Sequence, residues 1–140
     1  MLECMILGDS IAIGIAQHKP ECVVIARVGI TSHKWYNYFL ENFTYNKKYK
    51  VVVISLGTND FKDISSHSTE EFLYNIRKRA DAQMVIWILP NRILKPHQYK
   101  IIKELAKEFD DKTLDILNYV GYDSIHPTTK GYKELAKKIK

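Results

Sequence analysis

The sequence predicts an α/β fold: a three-layer α/β/α sandwich of the flavodoxin-like type, built around a five-stranded parallel sheet. The first observation behind this prediction is a set of short apolar runs rich in Val and Ile. The second is a set of segments between them whose apolar residues recur at helical spacing. The third is that the two kinds of segment alternate along the whole chain, as repeated strand–helix units do. Right-handed crossovers leave few other topologies for such a chain.

Five apolar runs are the predicted strands. The first four are uninterrupted, which suits strands buried on both faces of a parallel sheet. In the fifth, Asp115 interrupts the apolar residues, which suits a strand at the edge of the sheet. The runs cover residues 4–7, 22–26, 51–56, 84–89 and 114–117.

The predicted helices lie between the strands and after the last one. The clearest covers 69–79, with Thr69 as its N-cap residue. The last is expected to begin at Pro127, because a proline at the first helical position loses no hydrogen bond. Three further helices are predicted: a short one after Ser10, one over 32–40 and one over 97–109.

The length and composition indicate one globular domain over residues 1–140. Apolar residues make up 46% and charged residues 26% of the chain, which excludes a disordered tail, a fibre and a disulfide-stapled miniprotein. A chain of this size folds without covalent crosslinks, so we expect Cys4 and Cys22 to be buried, reduced thiols. No apolar run approaches the roughly 20 residues of a membrane span. No basic segment precedes the first apolar run, so we expect a cytoplasmic protein.

The chain is basic, with a net charge of +5, and the excess comes mainly from lysine. A basic surface attracts nucleic acid or acidic polymers when its charges cluster. Here the lysines are scattered, and four of them lie near the end of the last predicted helix, where they favour the helix dipole and water. This distribution favours a solvated face and argues against a nucleic-acid partner.

Groups suited to acyl transfer follow four of the five predicted strands. Ligands of open α/β sheets bind beyond the carboxyl ends of the strands, so these loops share one edge of the sheet. The loops contain Gly8-Asp9-Ser10, Val28-Gly29, Gly57-Thr58-Asn59-Asp60, Pro90-Asn91-Arg92 and residues 121–127. Each motif alone is also a common turn or helix entry. Their combination in these loops predicts a catalytic site.

Three side chains have the chemistry of a nucleophilic triad. A serine hydroxyl such as that of Ser10 is a weak nucleophile and needs an adjacent base. His126 is suited to be that base, and Asp123 to orient it and stabilise the imidazolium. The donors expected for the developing oxyanion are the backbone N–H groups of Ser10 and Gly29 and the side-chain amide of Asn59.

In these motifs the sequence resembles the SGNH (GDSL-type) hydrolase family. The resemblance rests on Gly8-Asp9-Ser10, Gly29, Gly57-Thr58-Asn59-Asp60 and Asp123-Ser124-Ile125-His126, which occur in family order. It implies a three-layer α/β/α fold and esterase, lipase, thioesterase or carbohydrate-deacetylase activity without a cofactor or metal. It implies that Ser10 is the nucleophile, His126 the base and Asp123 its orienting residue. It also implies an oxyanion hole formed by Ser10, Gly29 and Asn59, with Asp9 and Asp60 in supporting hydrogen bonds.

The chain is short for this family and has no long insertion between the motifs. A deep acyl tunnel needs walls, so we expect a short acyl group such as acetyl, carried by a carbohydrate or another polar molecule. The predicted substrate contacts are Trp35, by stacking on a sugar ring, together with Asn91 and Arg92. Packing of Trp35 against the sheet is an equal alternative.

Other functions stay open at this stage. A thioesterase or lysophospholipase would use the same triad. A non-catalytic flavodoxin-like module would bind a phosphate or nucleotide at the strand ends, although the turn after the first strand has no glycine-rich phosphate loop. A basic polysaccharide- or nucleic-acid-binding module would bind in a salt-dependent way. The histidines show no spacing typical of metal ligands, so we expect no metal site and no cofactor.

Overall fold

A computed structural model describes residues 2–43, 47–61 and 66–139 of the chain. Strands and helices alternate throughout these residues. In chain order the elements are β1 (Leu2–Gly8), α1 (Ser10–Ala16), β2 (Val23–Ala26), α2 (Ser32–Phe43), β3 (Tyr49–Ser55), α3 (Ser66–Lys78), β4 (Ala82–Leu89), α4 (Pro96–Glu108), β5 (Lys112–Asp115) and α5 (Thr129–Lys137).

The five strands form one parallel sheet in the order β2-β1-β3-β4-β5. This is the flavodoxin-like order, and it confirms the predicted fold class. The interrupted run around Asp115 is an edge strand, as expected, and β2 forms the other edge. Because β1, β3 and β4 have neighbours on both sides, their side chains are the most deeply buried of the sheet.

Two apolar clusters cover the two faces of the sheet and produce the three layers. One contains buried residues of α2, α3 and α4, including Trp35, Leu73 and Ile102, packed against the sheet around Trp87. The other contains buried residues of α1 and α5, among them Ile15 and Leu135. The layers bring every strand-to-helix loop to the carboxyl edge of the sheet.

Two predicted helix starts are wrong, and contacts with residues outside the helices explain both. Thr69 lies inside α3, and its hydroxyl donates to Asp60 Oδ2 at 2.9 Å instead of capping the helix. Pro127 precedes α5, because it pairs with Val120 in an isolated antiparallel bridge. The helix begins at Thr129, and the Thr128 hydroxyl accepts the N–H of Gly131 at 2.9 Å as its N-cap.

The two cysteines form a disulfide, so the prediction of reduced thiols is wrong. Met5 pairs with Val23 in the β1–β2 register, so the preceding residues, Cys4 and Cys22, lie opposite each other. Their Cα atoms are 4.7 Å apart, which is within the range that a disulfide spans. Chain size does not predict this pairing, because it depends on the register of two strands.

In the described part of the chain, no helix is long and apolar enough to cross a membrane. The expected cytoplasmic location stays a prediction. The Cys4–Cys22 bridge favours a different setting, because structural disulfides are typical of oxidising compartments.

Replacement of both cysteines by alanine is expected to lower the free energy of unfolding by about 3 kcal/mol, because the bridge closes a loop of moderate length in the unfolded chain. Urea unfolding of the wild type and of the Cys4→Ala/Cys22→Ala variant measures the difference. The wild type in reductant serves as the control and should match the variant. Detection of two free thiols in the native, non-reduced protein would contradict the prediction.

Candidate active site

Ser10 is the first residue of α1 and directly follows the turn that ends β1. Asp9 is the N-cap residue of this helix, and its Oδ1 accepts the N–H of Ile11 at 3.0 Å. Gly8 has a φ of +143°, and a Cβ at this position would lie 1.8 Å from the carbonyl oxygen of Ser55. Only glycine therefore allows β1 to approach β3 this closely before the chain turns.

Ser10, His126 and Asp123 form a chain of hydrogen bonds. The distance from Ser10 Oγ to His126 Nε2 is 2.9 Å, and from His126 Nδ1 to Asp123 Oδ2 it is 2.7 Å. When Nδ1 donates its proton to the carboxylate, Nε2 is left as an acceptor for the serine hydroxyl. The residues that carry this chain come from opposite ends of the sequence, 116 positions apart.

Hydrogen bonds between the Asp123 side chain and backbone N–H groups stabilise the loop that carries Asp123 and His126. Asp123 Oδ1 accepts the N–H groups of Ile125 at 2.9 Å and His126 at 2.8 Å. Ser124 between them has a φ of +59°, which produces the tight reversal. The hydrogen bond from the His126 N–H, then that from its ring and the one from Ile125, lower the pKa of Asp123 to about 2. Asp123 is therefore an anion at neutral pH and a suitable partner for an imidazolium.

Asn91 anchors this loop from the neighbouring strand. Its Nδ2 donates to the carbonyl of Ser124 at 2.7 Å, and its Oδ1 accepts the N–H groups of Ile93 at 2.8 Å and Leu94 at 3.3 Å. The side chain is buried, so the prediction that Asn91 contacts substrate is wrong. Its position after β4 is visible in the sequence, but the partner 33 residues away is not.

The three expected oxyanion donors lie in the first three strand-to-helix loops or turns. The backbone N–H groups of Ser10 and Gly29 have no acceptor among the described residues. Gly29 is exposed, has a φ of +75°, and has no atom near the position of a Cβ. Asn59 donates one Nδ2 proton to the carbonyl of Ile30 at 3.1 Å, which ties its loop to the Gly29 loop. The second amide proton of Asn59 stays available for a ligand.

Asp60 joins three elements beneath these loops. Its Oδ1 accepts the N–H of Ser32 at 2.8 Å, and its Oδ2 accepts the hydroxyls of Ser32 and Thr69. Its backbone carbonyl accepts Gln98 Nε2 at 2.7 Å. Asp60 is buried, so these donors replace its lost hydration and hold the starts of α2 and α4 together with α3.

Asp9 is a buried carboxyl directly behind Ser10. Its Oδ1 also accepts the hydroxyl of Ser55 at 3.1 Å, whereas its Oδ2 is buried with no partner among the described residues. Burial raises the pKa of Asp9 to about 6, and its hydrogen bonds offset part of that effect. The unpartnered oxygen shows that this site does not fully solvate a charged carboxylate.

The structure bears differently on Trp35 and Arg92, the two other residues predicted to contact substrate. Trp35 is fully buried in the larger apolar cluster, and its Nε1 donates to the carbonyl of Ile25 at 3.0 Å. It cannot stack on a sugar, so the packing alternative holds. Arg92 is exposed in the loop after β4, and its contact with substrate stays a prediction.

Among residues 2–43, 47–61 and 66–139, no cluster of three or more His, Cys, Asp or Glu side chains is arranged to hold a metal ion. The expectation that the protein needs no metal or cofactor stays a prediction.

The raised pKa of Asp9 predicts a specific pH dependence of stability. The folded chain holds the Asp9 proton more tightly than the unfolded chain, whose carboxyl has the ordinary pKa of 3.8. This stabilisation is complete below that value and is lost as the pH rises through about 6. Compared with wild type, Asp9→Asn is therefore expected to gain about 2 kcal/mol in the free energy of unfolding between pH 4 and pH 7.

Urea unfolding of both proteins at several pH values tests this prediction. Asp123 titrates equally in the two proteins, so the difference between them isolates Asp9. Parallel stability curves from pH 4 to pH 7 would show that Asp9 has an ordinary pKa.

No protein-family model matches the sequence, and no curated protein matches it. Solved structures do match over nearly the whole chain. A member of the lipolytic protein G-D-S-L family from Veillonella parvula is 19% identical, with a TM-score of 0.68, 99% of this chain covered and 96% of that one. The aryl esterase of M. smegmatis is 13% identical, with a TM-score of 0.68 and coverages of 99% and 98%.

A carbohydrate acetylesterase family member from Sinorhizobium meliloti is 14% identical, with a TM-score of 0.60 and coverages of 97% and 94%. Identities this low show a common fold and nothing finer. The chain therefore has the α/β fold of these solved lipolytic proteins and esterases.

Proposed function

We propose that the chain is an SGNH (GDSL-type) hydrolase, a serine ester hydrolase whose residues 1–140 form one domain. The observation that carries this proposal is the hydrogen-bonded chain from Ser10 Oγ through His126 to Asp123, at 2.9 and 2.7 Å. Nucleophile, base and orienting carboxylate are linked in the order that nucleophilic catalysis requires. The shared fold with esterases supports the same assignment.

The proposed reaction has two steps. Ser10 Oγ attacks the ester carbonyl while His126 Nε2 takes the serine proton, and the anionic Asp123 stabilises the imidazolium. The tetrahedral intermediate expels the alcohol, which receives the proton from His126, and an acyl-serine remains. Water then attacks the acyl group with His126 as base, and the carboxylic acid leaves as Ser10 regains its proton.

The oxyanion of each tetrahedral intermediate needs preorganised donors. The free N–H groups of Ser10 and Gly29 and the second amide proton of Asn59 are the proposed donors. The N–H of Ser10 also lies at the N-terminus of α1, whose dipole favours negative charge. None of these donors has to break an existing hydrogen bond with a described residue before it binds the oxyanion.

The proposed substrate is a short acyl ester, such as an acetyl group, on a carbohydrate or another polar carrier. The site is open, because the side chains of His126 and Asp123 are 45% and 49% exposed. An open site admits a bulky carrier but has few walls to hold a long acyl chain. The fold shared with a carbohydrate acetylesterase family member supports this class. A thioesterase or lysophospholipase using the same triad is the alternative.

Hydrolysis of p-nitrophenyl esters from acetyl to long acyl chains tests the proposal. The wild type is expected to cleave the acetyl ester fastest, and Ser10→Ala should lose at least about 10³-fold in kcat, because no nucleophile remains. Ser66→Ala, a serine outside the proposed triad, is the control and should keep wild-type activity.

Each outcome of the ester series has a meaning. A preference for long acyl esters would favour the lysophospholipase or thioesterase alternative. Equal rates for wild type and Ser10→Ala would refute the triad. Absence of hydrolysis with every ester, together with salt-dependent polymer binding by Ser10→Ala, would favour a non-catalytic binding module.

Asn59→Ala is expected to lower kcat by about 10²–10³-fold with little change in KM, because an oxyanion donor acts mainly in the transition state. Steady-state kinetics with p-nitrophenyl acetate measures both constants. Asn118→Ala, which changes an exposed asparagine outside the proposed site, is the matched control. An unchanged kcat for Asn59→Ala would remove Asn59 from the oxyanion hole.

A further inference from the structure

The loops around the candidate active site expose large apolar side chains. Val28 is 72% exposed, Phe61 68%, Ile93 71% and Leu94 50%, and Tyr122 is fully exposed. Each follows a different strand of the sheet, apart from the adjacent Ile93 and Leu94. Exposed apolar residues scattered singly are ordinary, but five at one edge of a small sheet form a surface that needs an explanation. We call these five residues the apolar rim.

Hydrogen bonds join the loops of the apolar rim into one surface. Asn59 Nδ2 donates to the carbonyl of Ile30, which links the loop of Phe61 to that of Val28. Phe61, Ile93 and Leu94 line a common cavity of about 430 Å³. The bond from Asn91 to the carbonyl of Ser124 then links the Ile93–Leu94 turn to the loop of Tyr122. The rim therefore lies on linked loops at the carboxyl edge of the sheet, where Ser10 and His126 also lie.

The charges between these apolar residues are mostly positive. Arg92 and Lys95 flank Ile93 and Leu94, and Lys34 is exposed in the first turn of α2. Asp9 and Asp60 are buried, so in the described parts of these loops Asp123 is the one exposed carboxylate, and it is paired with His126. An apolar surface with basic residues at its margin is complementary to anionic lipid.

We propose that the carboxyl edge of the sheet docks on an anionic lipid surface, with the apolar rim entering the interface and Arg92, Lys95 and Lys34 meeting headgroups. The rim consists of separate loop tips around a polar centre, not a continuous groove. A protein partner seated on it would remove water from the Asp123 carboxylate, which is costly for a charged group. A headgroup layer is hydrated, so Asp123 and His126 stay in contact with water while the side chains of the apolar rim are removed from it.

The docking proposal concerns binding and does not depend on catalysis. If the proposed esterase function holds as well, docking brings Ser10 Oγ to the level of the headgroups. The ester cleaved would then be one presented at a lipid surface, whatever its acyl length. Vesicle binding by Ser10→Ala tests docking alone, so failure of one proposal is distinguishable from failure of the other.

Cosedimentation with sucrose-loaded vesicles measures docking. Ser10→Ala is expected to bind vesicles of equal parts phosphatidylglycerol and phosphatidylcholine, and to bind pure phosphatidylcholine at least tenfold more weakly. In that background, Ile93→Ser/Leu94→Ser should lower the affinity at least about tenfold, because two apolar side chains no longer enter the interface. Val23→Ser/Val24→Ser is the matched control on the β2 edge and should bind as its parent does.

Charge variants test the basic residues at the margin of the apolar rim. Arg92→Gln and Lys95→Gln should each lower the affinity for the anionic vesicles about fivefold. Lys133→Gln and Lys137→Gln remove exposed lysines of α5, outside the loops that form this surface, and should have a smaller effect. Thermal melting that matches the parent shows that each variant is folded.

Three outcomes would overturn the proposal. The first is absence of binding to anionic vesicles by the folded Ser10→Ala protein. The second is an equal loss of affinity in the rim variant and its β2 control. The third is self-association without vesicles that Ile93→Ser/Leu94→Ser abolishes, since it would assign the apolar rim to a second copy of the chain.

Discussion

The contact between the ends of β1 and β3 decides where Ser10 lies. Gly8 lies against the carbonyl of Ser55, the N–H of Asp9 donates to that carbonyl at 3.0 Å, and the Ser55 hydroxyl donates back to Asp9 Oδ1. Asp9 then caps α1 by accepting the N–H of Ile11, which fixes the first turn of the helix and the position of Ser10 in it. Any residue larger than glycine at position 8 would separate the two strands and move Ser10 away from His126.

The buried carboxyls near this contact show two solutions to the same physical problem. Asp60 is surrounded by donors from α2 and α3 and ties those helices together, so burial of its charge is compensated. Asp9 has donors on one oxygen only, and its pKa is raised to about 6. The first arrangement strengthens the scaffold. The second arrangement lowers the stability of the fold near neutral pH, because Asp9 must then lose its proton while buried. Asp9 directly precedes Ser10, the proposed nucleophile.

Local sequence patterns predicted most of the architecture. Uninterrupted Val- and Ile-rich runs can be buried on both faces, so the strands and their parallel arrangement could be inferred, as could the edge position of β5. The starts of α3 and α5 could not, because Thr69 bonds to Asp60 and Pro127 pairs with Val120. Helix-start rules describe local competition for backbone N–H groups, and in both cases a contact with a residue outside the helix, seven or nine positions away, decides the outcome.

The sequence by itself determined the fold class and the kinds of residue at the carboxyl edge of the sheet. The loop motifs after successive parallel strands must meet at that edge, so Ser10, Asp123 and His126 could be proposed together before any geometry was known. Only the tertiary structure decided that Trp35 is core, that Asn91 anchors the Asp123–His126 loop, and that Cys4 pairs with Cys22. Each of these depends on strand register or on a contact across the fold, and a one-dimensional pattern carries neither.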